Sequence, residues 1–278
     1  MRSAFLSFVA AGALTAQSVG GPVLGYVIDG EARMRPLFGM AASAHVGASV
    51  REGVSDSWGP LALLANGTAL RDGVALEGRW ASVQPGAFLD ASEREVLVAA
   101  GGEPWQLALP ERAVAVRVSA SGALAATLLA DESVAVWARG GKAEFRLPAS
   151  KWWSLAFAGE RLIAYDPAAN ELLWLDGATG ATVARKLDGA GGRLTLAVDG
   201  AGRNAILLGE RLLVAPLDGG DLRVLTPPTG ADRLELLQGG RSFLLTRNPA
   251  QPMWIFDSSR EDGFLVVPAV SNEKGGQQ

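Results

Sequence analysis

A pattern that returns about every forty residues constrains this chain more than any other feature. "ELLWLDGATGATVARKLDG", beginning at Glu171, is a short apolar run, a turn opened by Asp176, and a second run of alternating character. "RLLVAPLDGGDLRVLTP" and "PMWIFDSSREDGFLVVP" repeat it, which sets Asp176, Asp218 and Asp257 in equivalent places 42 and 39 residues apart. "SVAVWARGGKAEFRLP" lies one period upstream, with Trp137 near the place of Trp174, and "VLGYVIDGEARMRPL" is a related hairpin near the start.

Each period contains four short runs. Between Arg193 and Pro227 these are "RLTLAVD", "NAILLG", "RLLVAPLD" and "DLRVLTP", separated by turn residues. Runs of this length, rich in Val, Leu and Ile and bounded by Gly and Asp, are strands joined as hairpins. A sheet of four such strands is apolar on both faces and cannot stand alone in water. Stacked against like neighbours around an axis, both faces are buried, at about 1.5–3 kcal/mol for each fully buried large side chain. Closure into a ring also leaves few exposed strand edges. The expected fold is therefore all-β, a β-propeller of about seven (alternatively six) four-stranded antiparallel blades.

Clear units span 113–150, 151–190, 191–229 and 230–270, with a further unit at 43–80 and a degenerate one at 81–112 whose outer strand is hard to find. The hairpin before them matches the third and fourth strands of a unit, either as a partial seventh blade or as a clasp on the last one. Sharing the residues beyond the leader among seven gives roughly 37 each, which favours seven over six.

The opening "MRSAFLSFVAAGALTAQSVGG" sets one Arg before an apolar stretch ending in small residues, the layout of a secretory signal peptide. The expected arrangement is a leader at 1–16, cut after Ala16 with Ala13 as second choice, one propeller domain at 22–270, and a polar tail at 271–278. An uncleaved N-terminal anchor is the alternative, although Ala4 to Ala16 falls short of the about 20 apolar residues a bilayer requires. No Cys occurs, which excludes disulfides and a lipidated Cys anchor. Charged residues are 19% of the chain, with net charge −4 and pI about 5.2, so the basic footprint of a nucleic-acid binder is absent. Scarce Lys beside Arg, with abundant Ala and Gly, points to a bacterial source with a GC-rich genome.

Trp174, Asp176, Thr179 and Gly180 resemble the W-x-D-x-x-T-G turn between the third and fourth strands of WD40-like, YVTN-type and quinoprotein-type repeats. The wider pattern covers residues 22–270, but only this unit carries all four residues. Asp218 and Asp257 keep the Asp without the Thr-Gly, and Trp137 is followed by no Asp. The Gly-His dipeptide of WD40 blades, the sialidase Asp-box and the Kelch spacing are missing. The resemblance implies a propeller fold and leaves function open.

Candidate chemistry is sparse. His45 is the only imidazole, so a metal site built on His and Cys or a Ser-His-Asp hydrolase finds no constellation here, and a surface or partly buried strand position is expected. "GAGRNA" (200–205) matches the start of a dinucleotide fingerprint but is followed by a strand rather than a helix, so it reads as a hairpin turn. "NGT" (66–68) reads as an Asn-Gly turn rather than a glycosylation acceptor, and the repeated aspartates read as turn formers rather than calcium ligands.

Of the eight Trp, Trp137, Trp174 and Trp254 fall where core packing is expected. Trp58, Trp152 and Trp153 lie by turns or strand starts and are the candidate binding residues. No catalytic residue, metal site or cofactor is expected. The functional expectation is an exported, monomeric, non-catalytic scaffold holding another protein through a propeller rim, or a ligand. The rival is a carboxylate enzyme acting on a sugar or lactone through Asp56, Glu93 or Asp131, which would place two carboxylates about 5–10 Å apart in one pocket. A quinone-dependent dehydrogenase would need more aromatic and cationic residues along the axis than the chain offers.

Overall fold

The computed structural model describes residues 21–40, 43–147, 154–188, 192–246 and 251–269, and those residues form seven antiparallel sheets. Blade 1 contains β1 (Val23–Ile28), β2 (Met34–Phe38) and β3 (His45–Val46). Blade 2 contains β4 (Val54–Trp58), β5 (Leu61–Leu64), β6 (Ala69–Arg71) and β7 (Val74–Ala75). Blade 3 contains β8 (Ser82–Gln84), β9 (Ala87–Leu89), β10 (Glu95–Val98) and β11 (Trp105–Ala108). Blade 4 contains β12 (Ala113–Val118), β13 (Leu124–Leu129), β14 (Val134–Ala138) and β15 (Lys142–Leu147). Blade 5 contains β16 (Ser154–Ala158), β17 (Arg161–Asp166), β18 (Glu171–Asp176) and β19 (Gly180–Lys186). Blade 6 contains β20 (Thr195–Val198), β21 (Asn204–Leu208), β22 (Leu212–Pro216) and β23 (Arg223–Leu225). Blade 7 contains β24 (Glu235–Leu236), β25 (Ser242–Leu244), β26 (Met253–Asp257) and β27 (Phe264–Val267).

The core is divided among the blade junctions, as sheets apolar on both faces require. Seven clusters of buried side chains fill the seven junctions around the ring among the described residues. Between blades 4 and 5, for example, Ala126 and Val136 meet Leu155 and Leu173. The seventh junction joins blade 7 to blade 1, where Leu244 and Ile255 meet Leu24 and Leu37, so the ring is closed. The first strands of consecutive blades adjoin one another around the axis, and the fourth strands form the outer wall.

Three features of the sequence reading are revised. The opening hairpin supplies the second and third strands of a blade rather than the third and fourth. Its turn ends on Ala32 at φ 57°, which accepts a hydrogen bond from Val54 N at 2.9 Å. The turn between β9 and β10 ends the same way, with Glu93 at φ 59° accepting from Ala113 N at 2.7 Å. Residues 43–51, expected to begin the next unit, instead form the outer strand of blade 1, where Met34 N and Val50 N exchange bonds with Arg51 O and Met34 O. Blade 1 thus lacks an innermost strand among the described residues. In blade 3 the two strands legible in "EREVLVAAGGEPWQLALP" are the third and the outer, and the inner pair is the short "SVQ" and "AFL".

Arginine forks fasten neighbouring blades together on the face carrying the third-to-fourth-strand turns. Arg71 Nη1 donates to Ala99 O and Gly102 O in blade 3, Arg185 Nη1 to Pro216 O and Gly220 O in blade 6, and Arg223 to Ser258 O and Arg260 O in blade 7. A planar guanidinium can reach two carbonyls of the next blade at once, where a Lys ammonium would act as a single point. That geometry gives the preference for Arg over Lys a physical reason. No helix among the described residues is long and apolar enough to cross a membrane. Residues 1–16 and 271–278, where a leader and a tail are expected, lie outside the described residues.

Candidate functional site: the axial mouth

The inner strands end together at the turns joining first to second strands, and there they surround a cavity of about 220 Å³. The cavity follows β20 along its whole length, from Thr195 to Gly200, and reaches Trp58 on β4, Arg117 on β12, Phe157 on β16 and Leu236 on β24. Small turn residues such as Ala120, Gly159 and Gly200 form its exposed edge. Its walls are mostly apolar because inner-strand side chains belong to the junction clusters on either side. Two lining residues carry charge, Arg117 and Asp199.

Asp199 is buried, and its carboxylate accepts Arg203 N at 2.8 Å and Asn204 Nδ2 at 2.7 Å, which commits it to the turn that follows β20. Arg117 is differently placed. Its Nε donates to Leu155 O at 3.0 Å and its Nη1 to Val116 O at 2.8 Å, both neutral carbonyls. Burial pushes its pKa down to about 10. It remains charged at neutral pH.

A buried arginine closes the ring. Arg233 and Glu235, in and just before β24, form an ion pair that is 5% and 1% exposed. Arg233 Nη2 donates to Ser57 O at 2.7 Å, and Gly59 N donates to Glu235 Oε1 at 2.5 Å. Both contacts run from blade 7 to blade 2, past blade 1, which has no innermost strand among the described residues. The turn after β24 also binds blade 1 directly, with Gln238 N donating to Leu24 O at 2.8 Å. The Arg233 guanidinium lies over the Trp58 ring, 4.5 Å from its centroid.

Trp58 is therefore a half-buried wall of the axial mouth, held on one face by Arg233. Trp152 and Trp153 lie outside the described residues. Asp56 sits within β4, Glu93 and Asp131 sit on the second-to-third-strand turns of blades 3 and 4, and none of the three lines the axial cavity. Glu93 pairs with Arg112 and Asp131 with Arg146 at 2.6 Å, both on the surface. Among the described residues no group of three or more His, Asp and Glu is placed to hold a metal ion.

The bland readings of several motifs hold. His45 is exposed on β3, its ring 5.8 Å from that of Phe38. The 200–205 stretch is the turn between β20 and β21 together with the first two residues of β21, and Asn66 closes its turn by accepting Thr68 N at 3.0 Å. Asp176 accepts Ala178 N at 2.8 Å and Thr179 N at 3.0 Å, the geometry that the W-x-D-x-x-T-G resemblance implies. Those backbone bonds, Thr179 first, hold its carboxyl below the usual range. Trp137 is buried at the junction of blades 3 and 4, and Trp174 and Trp254 pack partly buried at later junctions.

Sequence reasoning missed Arg117, Arg233 and Glu235. The signal was present as charge inside inner-strand runs, in "AVAVRV" and "DRLELL", where the inner strands of blades 5 and 6 read "SLAFA" and "TLAV".

No known protein family model matches the chain, and no curated protein matches it. Solved structures do resemble it in fold. A functionally unknown protein from Desulfotomaculum acetoxidans superposes with a TM-score of 0.55 at 12% identity, covering 90% of this chain and 96% of that one. Virginiamycin B lyase from Staphylococcus aureus gives 0.49 at 10% identity over 91% and 86% of the two chains, and BamB from Moraxella catarrhalis gives 0.44 at 14% over 65% and 57%. The protein is a seven-bladed β-propeller. At these identities the likeness establishes architecture and nothing about activity.

Proposed function

We propose that the protein is an exported, non-catalytic β-propeller that serves as a binding scaffold, engaging another protein or a ligand at the axial mouth. The observation that carries this reading is the character of the mouth. Its walls are aromatic and aliphatic, with Trp58, Phe157, Leu196 and Leu234 around one cation, and its one lining carboxylate is already bonded to Arg203 and Asn204. Apolar walls with a few fixed polar groups suit binding. Hydrolysis of a glycoside would call for a pair of free carboxylates at the same place. Export rests on the leader-like residues 1–16, with cleavage after Ala16, and the folded chain acts as a monomer whose partner binds through the rim.

Site-specific photo-crosslinking in a bacterial host tests the reading. A photoreactive residue at Ala120, on the edge of the mouth, is expected to trap one discrete protein, and the W58A variant is expected to lose it. The same probe at exposed Glu52, beside the start of β4 at the opposite end of the inner strands, is expected to trap none. Equal capture from both ends, or none from the mouth, overturns the assignment of the rim. Retention of residues 1–16 in the protein recovered from the periplasm would overturn the cleaved leader.

A further inference from the structure

Several of the described arginines pair with carboxylates, whereas Arg117, which clamps Leu155 O of blade 5, meets only carbonyls. Arg33 and Arg35 meet Asp29, Arg112 meets Glu93, Arg146 meets Asp131 and Glu111, and Arg233 meets Glu235. Arg117 has no ion pair among the described residues. Its Nε and Nη1 are held by Leu155 O and Val116 O, and its other terminal nitrogen, Nη2, has no hydrogen-bond partner there. The two carbonyls fix the plane of the guanidinium in the wall of the cavity. A part-buried cation whose plane is fixed and whose remaining edge is open to the cavity attracts an anion through charge-assisted hydrogen bonds.

The surroundings select the kind of anion. A phosphate or other polyanion needs several donors, and here the lining holds one arginine together with the carboxylate of Asp199, so a second negative charge would be repelled. A monoanion with an apolar body fits both the single donor group and the walls of Trp58, Phe157, Leu196 and Val198. The volume of about 220 Å³ lies below the range of drug-sized sites, which limits the ligand to on the order of ten non-hydrogen atoms. We propose that the axial cavity binds a small organic monocarboxylate, its carboxylate on the free edge of Arg117 and its apolar body against those walls. The inference rests on the reading of the axial mouth as a binding surface and names the chemistry it takes.

Titration of the full-length protein with hexanoate and with phenylacetate, each beside its amide, tests the proposal by calorimetry and by tryptophan fluorescence. The acids are expected to bind saturably and the amides to show no binding. Arg117→Gln should weaken the acids about 10- to 100-fold, the loss of a charged hydrogen bond, and Arg117→Lys should fall between. A thermal melt of Arg117→Gln at or above the wild-type midpoint would show that the fold is intact. A short peptide ending in a free leucine carboxylate forms a second arm: tighter binding than hexanoate assigns the carboxylate to a polypeptide end and overturns the small-molecule assignment. No saturable binding of either acid, amides that bind as well as acids, or an unchanged Arg117→Gln overturns the site. The probes are small acids, so their failure leaves protein capture at the rim standing, and failed capture leaves the acids to be measured.

Discussion

Glu235→Ala removes the carboxylate that ties blade 7 to blade 2. In the native chain it is 1% exposed, pairs with Arg233 and accepts Gly59 N at 2.5 Å. The variant takes the carboxylate of Glu235 away from the Arg233 cation, itself 5% exposed, and deprives a backbone amide of its acceptor. Breaking a buried ion pair from one side costs about 3–5 kcal/mol, because the charge that stays behind loses the partner that offset its desolvation. At about 2–4 °C per kcal/mol for a chain of this size, the midpoint should fall by roughly 6–20 °C. Glu93→Ala is the control: it also removes a carboxylate from an arginine, but the partners are 43% and 63% exposed, and the loss should stay under about 1 kcal/mol. The double variant Arg233→Met, Glu235→Leu should recover most of the stability, since an apolar pair of similar volume leaves no charge unpaired. Urea unfolding followed by tryptophan fluorescence, with thermal melts by circular dichroism, reads all three. If Glu235→Ala loses no more than Glu93→Ala, or the double variant is as unstable as the single, the buried pair does not close the ring.

Thr127→Val strips the acceptor from Trp137 Nε1, a buried bond of 3.0 Å, and should cost about 1–3 kcal/mol in urea melts; a loss under half a kcal/mol would mean the indole finds another partner. Gly122 sits at φ 72°, and a Cβ there would lie 2.1 Å from Ala100 O, so Gly122→Ala should destabilise by at least about 2 kcal/mol, and a wild-type melt would contradict the close approach of blades 3 and 4. Burial works to raise the pKa of Asp29, yet hydrogen bonds from Arg35 and Arg33 outweigh it and hold the carboxyl at about 2. A depressed carboxyl stabilises the fold fully above its unfolded value near 4 and loses that contribution as pH falls through about 2. Asp29→Asn should therefore cost about 1–2 kcal/mol at neutral pH, and its gap to wild type should close between roughly pH 4 and pH 2; a gap constant across that window contradicts the assignment.

The architecture was legible because its cause is written into every unit. Alternating apolar runs bounded by Asp-Gly turns dictate strands, and sheets apolar on both faces dictate stacking, so Asp176, Asp218 and Asp257 could be placed on equivalent turns from spacing alone. The exceptions come from strands too short to carry a period: "SVQ" and "AFL" hold three residues each, and periodicity needs more. The first hairpin was misplaced by one strand because third- and second-strand runs share one composition, and what separates them is the contact from Ala32 to Val54, a tertiary feature. The axial mouth was legible only at Trp58. Arg117 and Glu235 look in sequence like surface charge, and their meaning depends on β12 and β24 being the innermost strands of their blades.

The dissociation constant of the crosslinked partner for wild type and for W58A, measured with purified proteins below the melting range of both, tests the binding role most directly. A tryptophan at the centre of a binding mouth should cost about 2 kcal/mol or more when truncated, so the account predicts affinity about 30-fold weaker in the variant. An affinity that Trp58 does not influence would contradict it.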